Sequence, residues 1–325
     1  MNSHTNVTDY RISGKTSIKE LEYHAIMGEV SYTIRKMTRE DVPGTLDVCL
    51  DTGLQEGTHC LYTWLEVDKD AVNIAVKDTG EIIGACSAVI HHEDMAFLGM
   101  YGVRKAYQGL GIGMKLWNAC VEHIGTRNGI LNAVPDKTDR YRTKGGFPIL
   151  ETSWASIMNE TCNPVNHEVL SDEPPEGIDI LPFQESHLPA MFEYDLALMG
   201  YEREKALELN CKEQDSRTFV AFNNRCVVGF GTIKMRCDNA LGQVGPLYAD
   251  DPRVAEVILK RLIVSLPKAE GFAMMTVNSN LAAKKLIDRL GCPVLMECPR
   301  LYSKARFNVD LDKVFAHFDL NFTPF

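Results

Sequence analysis

The stretch "LGMYGVRKAYQGLGIGMKLW", residues 98–117, joins an apolar, strand-like run to an amphipathic helix. Three glycines, Gly109, Gly111 and Gly113, stand at alternating positions between the two. Glycine lets backbone amides converge because no Cβ obstructs them. The free amides at a helix N-terminus carry about half a positive charge. The stretch therefore predicts a strand, a loop and a helix, with a loop that either receives an anion or packs tightly.

The spacing around these glycines excludes two common phosphate-binding loops. A P-loop NTPase needs Gly-Lys-Ser/Thr, whereas Gly113 is followed by Met114 and Lys115. A dinucleotide-binding loop needs GxGxxG and an acidic residue about 20 positions later, whereas this loop reads GxGxG. The helix itself is well supported, because five apolar residues share one face. They are Leu116, Trp117, Cys120, Val121 and Ile124.

Bulk composition narrows the classes of protein. The chain has 325 residues, which suits two domains, and no apolar run approaches the roughly 20 residues that span a bilayer. A net charge of −10 argues against nucleic acid as a partner, since phosphate binding needs concentrated Lys and Arg. Residues 1–30 lack a secretory signal core and are expected to form a tail. We expect a cytoplasmic protein with no membrane partner.

Ten scattered cysteines, without paired or clustered spacing, favour reduced thiols over disulfides or a metal site. The glycosylation sequons at Asn6, Asn159 and Asn321 are therefore expected to stay unmodified.

The order of elements repeats along the chain. Each half opens with a strand and a helix, continues with a hairpin and a strand–loop–helix unit, and closes with a strand, a helix and a strand. A polar, proline-containing stretch, "NETCNPVNHEVLSDEPPEGI", separates the two copies. The expected organisation is a tail (1–30), a first domain (31–158), a linker (159–177) and a second domain (178–325).

With its preceding strand, the motif "YGVRKAYQGLGIGMKLW" resembles the acetyl-CoA loop of the Gcn5-related N-acetyltransferase superfamily, whose pattern is Gln/Arg-x-x-Gly-x-Gly/Ala. Gln108, Gly111 and Gly113 carry the match. Together with "GPLYADDPRVAEVILKRL" and the C-terminal stretch, the chain is similar to the two-domain, YitH-like branch over about residues 32–320. The resemblance implies an α+β fold of tandem domains, each a mixed central sheet flanked by helices.

The resemblance also places the donor. Tyr101 and Val103 match the strand positions whose free backbone groups bind the pantetheine arm of acetyl-CoA, at a point where that strand splays from "GILNAV". The pyrophosphate is expected on the backbone amides of the loop. These belong to Gln108, Gly109, Leu110, Gly111, Ile112, Gly113 and Met114. Nearby cations, Arg104, Lys105, Arg140 and Lys144, either meet the remaining phosphate or are ordinary surface charges.

Family members use a tyrosine ahead of a Gly-Phe pair to protonate the leaving thiolate, and Tyr141 is the candidate here. Its spacing, "YRTKGGF", is one residue longer than the usual Tyr-x-x-x-Gly-Phe. Either the helix ends with an extra residue near Gly145, or the phenol is displaced from the sulfur and only packs the helix.

An amine of pKa about 10.4 must lose a proton before attack, so a base or a water relay is expected. The strand lacks the glutamate that many relatives place there. Candidate residues on the acceptor side are Glu56, His59, His91, His92 and Asp94.

The second half carries "ADDPRV" where the first has the glycine loop. Asp250 and Asp251 would repel phosphate, and Pro252 removes an amide donor. This half is expected to be a degenerate copy that does not bind acetyl-CoA.

The sequence thus favours an acetyl-CoA-dependent N-acetyltransferase, without a metal, acting on a small-molecule amine or a lysine-like amino group. Two alternatives stay open: a non-catalytic acyl-CoA-binding or regulatory module, and an N-acyltransferase with a longer acyl donor. The sequence does not indicate an oligomeric state.

Overall fold

The computed structural model describes residues 30–54 and 56–325. It places them in two mixed β-sheets with helices packed on them, which confirms the predicted α+β class and tandem arrangement. The predicted N-terminal tail, apart from residue 30, and the sequon at Asn6 lie outside the described residues. None of the described helices is both long enough and apolar enough to cross a bilayer.

The first half follows the predicted order of elements, and glycines in left-handed conformations end α1 at Gly53 and turn the first hairpin at Gly80. Its elements are β1 (Tyr32–Lys36), α1 (Val42–Thr52), α2 (Cys60–Val67), β2 (Val72–Lys77), β3 (Ile82–His92), β4 (Met95–Val103), α3 (Ile112–Ile124), β5 (Asn128–Asn132), α4 (Thr138–Lys144), β6 (Ile149–Leu150) and β7 (Ser156–Thr161).

The second half repeats this order and adds one short strand at its end. Its elements are β8 (Ile178–Pro182), α5 (Leu188–Met199), α6 (Glu204–Lys212), β9 (Arg217–Asn223), β10 (Cys226–Met235), β11 (Leu241–Ala249), α7 (Pro252–Ser265), β12 (Gly271–Val277), α8 (Leu281–Leu290), β13 (Val294–Cys298), β14 (Arg300–Tyr302) and β15 (Val314–Ala316).

The two sheets exchange one strand each. The first sheet has the order β1-β2-β3-β4-β5-β14-β6, and the second has the order β13-β7-β12-β11-β10-β9-β8. Strand β14 from the second half thus lies between β5 and β6, while β7 from the first half lies in the equivalent place between β12 and β13. Each sheet is complete only with a strand from the other half.

This exchange bears on the expected division of the chain. The expected linker, 159–177, begins inside β7, where Asn159 is buried and donates to the carbonyl of Met274 over 3.0 Å. A division at 158 would therefore cut a strand of the second sheet. The boundaries 31–158 and 178–325 stay a proposal for the two repeated units, each of which borrows a strand.

In both sheets the central pair of strands is parallel and separates after a short contact. Strands β4 and β5 pair only over the three positions Met95–Asn128, Ala96–Gly129 and Phe97–Ile130. Beyond this point β4 continues for six residues without β5, and a bulge at Met100, where φ is 41°, helps to turn it away. The splay predicted for this strand is therefore present.

Helix α3 packs on the first sheet through the face that the sequence indicates, with one exception. Leu116, Trp117, Cys120 and Ile124 are buried in the core beneath it. Val121, predicted to share this face, is 39% exposed. The apolar stripe that packs on the sheet is therefore one residue narrower than the sequence pattern.

Candidate functional site

A cleft of about 870 Å³ opens beside the splayed strand. Its walls come from the end of α1, the free edge of β4, the glycine loop, the first turns of α3, and α4. Five of the predicted donor residues that line it are Tyr101, Val103, Gln108, Gly109 and Gly111.

The β4 wall of the cleft offers unpaired backbone groups. Around the bulge, Leu98, Gly99, Gly102 and Val103 pair with β3 on one side, and none of residues 98–103 pairs with β5 on the other. The side chains of Tyr101 and Val103 face the α3 side of the sheet and pack against its core. An extended ligand lying along this edge can therefore take the place of the missing strand.

The loop between β4 and α3 has the conformation that its glycines predict. Gly109 and Gly111 have φ values of 81° and 78°, and a Cβ at either would meet nothing within 4 Å. Backbone conformation, not space, therefore selects glycine at these two positions. Gly113 differs, since a Cβ there would lie 2.5 Å from the Tyr101 hydroxyl oxygen. It allows the Tyr101 ring to lie against the first turn of α3.

Six consecutive amides of this loop are available to an anion. Among the described residues, no backbone or side-chain oxygen accepts a hydrogen bond from the amides of residues 109–114. The positive end of the α3 dipole lies at the same place. The Gln108 amide, predicted to join this group, instead donates to the Lys105 carbonyl over 3.3 Å, because residues 105–107 form a 3-10 turn. The Gln108 side chain donates to the Val103 carbonyl over 2.9 Å and ties the loop to the strand.

The predicted cations divide into two groups. Lys105, Arg140 and Lys144 line the cleft. Arg104 does not, since its guanidinium donates to the Ile82 carbonyl and pairs with Asp51. Lys137 is a lining cation that the sequence analysis missed. It pairs with Asp136 at 2.5 Å, so part of its charge is already compensated.

Tyr141 lies in the cleft wall, stacked on Trp117 with ring centroids 4.9 Å apart and an angle of 2° between the planes. The extra residue in its motif is accommodated at the end of α4. Gly145 adopts a helical conformation, and Gly146 turns the chain with φ of 88°. The Tyr141 carbonyl accepts from the amides of both Gly145 and Phe147. The helix therefore ends with an extra residue near Gly145, as the first alternative predicts, and the position of the phenol relative to the donor sulfur stays a prediction.

Burial raises the pKa of the Tyr141 phenol, and the neighbouring Tyr101 adds to the shift. The phenol therefore keeps its proton throughout the range in which the protein works.

None of the acceptor-side candidates lines the cleft, and the structure separates them. His92 and Asp94 lie at an exposed turn, where the His92 ring accepts from the Asp94 amide. His59 contacts Thr58 and Asp215. His91 is held by the carbonyl of Phe322 at 2.6 Å, and burial lowers its pKa to about 4. These four side chains belong to turns and to the contact between the two halves.

Glu56 is fully buried between the halves. Its carboxylate accepts from the Asn321 side-chain amide over 2.7 Å and from the Cys60 thiol over 3.3 Å. Asp319 contributes a second carboxyl group within 4.8 Å of both Glu56 and Cys60. Burial, and then the charge of Asp319, raises the pKa of Glu56 well above its usual range. Glu56 therefore holds residues 319–321 in place within the first half.

Residues 319–325 form the part of this region that the sequence analysis missed. Asn321 contacts the splayed strand directly, because the Met100 amide donates to its side-chain oxygen over 3.3 Å. The Asn132 side chain, at the end of β5, donates to the Leu320 carbonyl over 3.4 Å. The segment thus bridges β4 and β5 where they separate. Its side chains show no apolar periodicity, so no pattern in the sequence signals this role.

In the second half, the chain itself fills the equivalent gap. Strands β11 and β12 pair only from Leu241 to Val244 and then separate. Strand β15 enters the gap and pairs with β11, and the next residue, His317, donates to the Met275 carbonyl on β12. The start of α7 is also occupied, because the Asp251 side chain accepts from the Arg253 amide over 2.8 Å. No edge and no free helix start remain there for a ligand.

Comparison with known proteins agrees with this geometry. The family model "Acetyltransferase (GNAT) family" matches residues 36–139, and the model "Acetyltransferase (GNAT) domain" matches residues 191–316. No curated protein matches the chain.

Three solved structures share the fold over most of the chain. One is a Pyrococcus horikoshii protein assigned as an acetyltransferase, with a TM-score of 0.70 and 21% identity over 93% of this chain and 99% of that one. A tandem GNAT protein from the clavulanic acid biosynthesis pathway has a TM-score of 0.58 and 12% identity, covering 84% and 98% of the two chains. A Sphaerobacter thermophilus GCN5-related N-acetyltransferase has a TM-score of 0.53 and 14% identity, covering 90% and 98%.

Two matching family models in tandem, on two sheets with the same splayed central strands, show that this chain belongs to the GCN5-related N-acetyltransferase superfamily, as an acyltransferase with two domains of that fold.

Proposed function

We propose that the first half transfers an acetyl group from acetyl-CoA to a small-molecule amine or a lysine-like amino group. The observation that carries the proposal is the continuous path in the cleft from the six free amides of residues 109–114, along the unpaired edge of β4, to the Tyr141 phenol. A diphosphate, an extended amide-containing arm and a thioester need these three surfaces in this order.

The donor end of the path suits a diphosphate. Each charge-assisted hydrogen bond from a backbone amide contributes on the order of 1.5 to 3 kcal/mol. Lys105, Arg140 and Lys144 also line the cleft and add positive charge to it. The next part of the ligand, the pantetheine arm, would pair with β4 at residues 101 and 103, where no β5 partner competes.

Tyr141 supplies a hydrogen bond to the departing sulfur. A neutral amine attacks the thioester carbonyl carbon, the carbon–sulfur bond breaks, and the thiolate of CoA leaves with the electron pair. The nitrogen gives up one proton to solvent as the amide forms. A free thiol has a pKa near 8.5, so a phenol with a raised pKa is the weaker acid of the two. The Tyr141 phenol therefore stabilises the developing thiolate by donating a hydrogen bond. Solvent supplies the proton that converts the thiolate into the thiol of CoA.

We propose that the second half does not bind acetyl-CoA. Strand β15 occupies the place of the pantetheine arm, and Asp251 caps the helix start at which a diphosphate would bind. Its role is to supply β14 and residues 319–325 to the first half.

Mass spectrometry of free CoA and acylated amine, across a panel of small amines, polyamines and lysine peptides, tests this function. Acetyl-CoA consumption that depends on one acceptor class supports it. Tight CoA binding without turnover on any acceptor would instead support the non-catalytic acyl-CoA-binding module.

A further inference from the structure

The donor cleft ends abruptly where the splayed strands meet. Among the described residues, its lining stops at Tyr101 on β4 and at Val134 just after β5. The next residues inward, Met100 and Ala133, are fully buried. The acyl group of a donor lying along β4 would point towards this closed end.

Residues 320 and 321 build the closed end. The Asn321 side chain caps the Met100 amide, and the Leu320 carbonyl accepts from the Asn132 side chain. The Asn321 carbonyl lies so close to Gly99 that a Cβ there would overlap it. Asn321 does not itself line the cleft, but its side chain is bonded to Met100, the residue directly inward of Tyr101, where the β4 lining stops.

The wall is anchored on several sides by buried groups. Glu56 accepts from the Asn321 side-chain amide over 2.7 Å, and the Ser87 hydroxyl donates to the Asn321 backbone carbonyl over 3.2 Å. Further along, the Arg300 guanidinium donates to the Pro324 carbonyl over 2.5 Å, and Arg203 donates to the Phe325 carbonyl over 2.6 Å. A segment held at this many points cannot move aside at low free-energy cost to admit a longer chain.

We propose that Asn321 sets the acyl length of the donor, and that Glu56 acts as a positioning residue that fixes the Asn321 side-chain amide. This inference rests on the proposed function, since it assumes that the acyl-CoA lies along β4. An acetyl group ends before the wall, whereas each further methylene must displace Asn321 or bend back towards the cleft opening. The donor is therefore acetyl-CoA and not a longer acyl-CoA.

Calorimetric titration of the full chain with CoA, acetyl-CoA, propanoyl-CoA and hexanoyl-CoA tests the inference without knowledge of the acceptor. For the wild type we expect acetyl-CoA to bind within threefold of CoA, and hexanoyl-CoA to bind at least 30-fold more weakly. Asn321→Ala removes the side chain from the wall and should improve propanoyl-CoA binding relative to acetyl-CoA at least tenfold. The exposed Asn163→Ala is the matched control and should leave this ratio unchanged.

Two Glu56 variants test the positioning role. Glu56→Gln keeps an oxygen that accepts from Asn321 and should preserve the wild-type ratio of propanoyl-CoA to acetyl-CoA affinity. Glu56→Ala releases the Asn321 side-chain amide and should shift this ratio in the same direction as Asn321→Ala. Equal shifts in both variants would contradict positioning through this hydrogen bond.

The wild-type series alone is decisive if the Asn321 variant does not fold. Hexanoyl-CoA binding within threefold of acetyl-CoA would overturn the inference and leave the proposed function intact. Failure of CoA itself to bind would overturn both.

Discussion

Replacing Gly111 with aspartate should remove acetyl-CoA binding without unfolding the protein. Gly111 is the residue before the first turn of α3, its φ is 78°, and a Cβ there meets nothing within 4 Å. A left-handed conformation costs a non-glycine residue about 1 to 2 kcal/mol. A carboxylate at a helix N-terminus stabilises the fold by about 0.3 to 1 kcal/mol, which offsets part of that cost. The net loss of stability should therefore be about 1 kcal/mol.

The effect on the ligand is larger. At about 5 Å from one phosphate charge, with an effective dielectric constant of about 20 to 40, the carboxylate is repelled by about 1.7 to 3.3 kcal/mol. This corresponds to CoA binding weakened about 20- to 300-fold for each phosphate charge that it meets. Because salt screens this repulsion, high salt should reduce the difference in CoA affinity between the variant and the wild type.

Gly80→Asp provides the matched control. Gly80 has φ of 85° and equally open surroundings, but it turns the hairpin between β2 and β3, away from the cleft. Calorimetry with CoA at low and high salt, together with thermal unfolding of both variants, separates strain from repulsion. Unchanged affinity in Gly111→Asp, or an equal loss in Gly80→Asp, would refute the placement of the diphosphate.

Three further changes test other parts of the structure. Tyr141→Phe removes the hydrogen-bond donor to the leaving thiolate and should lower turnover about 100-fold while the acetyl-CoA dissociation constant stays within twofold, and wild-type rates would leave Tyr141 only a packing role. Asp195→Ala leaves the fully buried Arg203 without its carboxylate partner at 2.8 Å, and denaturant unfolding should show a loss of about 3 to 5 kcal/mol that the exposed Asp179→Ala does not show. Burial lowers the pKa of His91 to about 4, whereas the unfolded chain binds this proton near pH 6.5, so stability falls as the pH drops from 6.5 towards 4. His91→Gln should reduce that fall by on the order of 2 kcal/mol between pH 7.5 and pH 5.0, and an unchanged pH dependence would contradict the assignment.

The conformation of the glycine loop was predictable because its determinants are local. Gly109, Gly111 and Gly113 stand within five positions, and the helix that follows them has a clear apolar face. Their conformations follow from the backbone freedom of glycine and need no knowledge of distant residues. The one residue that was misplaced in this group, Gln108, donates its amide within a 3-10 turn that the sequence does not signal.

The position of Glu56 was not predictable, because its partner is far away in the chain. Glu56 bonds to Asn321 across 265 positions, and Met100 bonds to Asn321 across 221. The loop around Glu56 predicts a place near the acceptor, whereas the structure shows Glu56 fully buried, 2.7 Å from the Asn321 side-chain amide.

The exchange of β7 and β14 escaped prediction for a related reason. Both strands are short apolar or mixed runs, and such a run carries no information about which of two similar sheets it joins. The choice depends on long-range packing, which includes the two buried arginines that hold residues 323–325.

The exchanged strands also determine when the protein can be completed during synthesis. The first sheet lacks the strand between β5 and β6 until Arg300–Tyr302 has left the ribosome, and Arg300 follows Leu150, the last residue of β6, by 150 positions. At roughly 5 to 20 residues per second, this wait lasts about 8 to 30 s. During it, β5 presents an unpaired edge that can join the wrong partner. We therefore expect the nascent first half to depend on chaperones more than its share of the finished core would indicate.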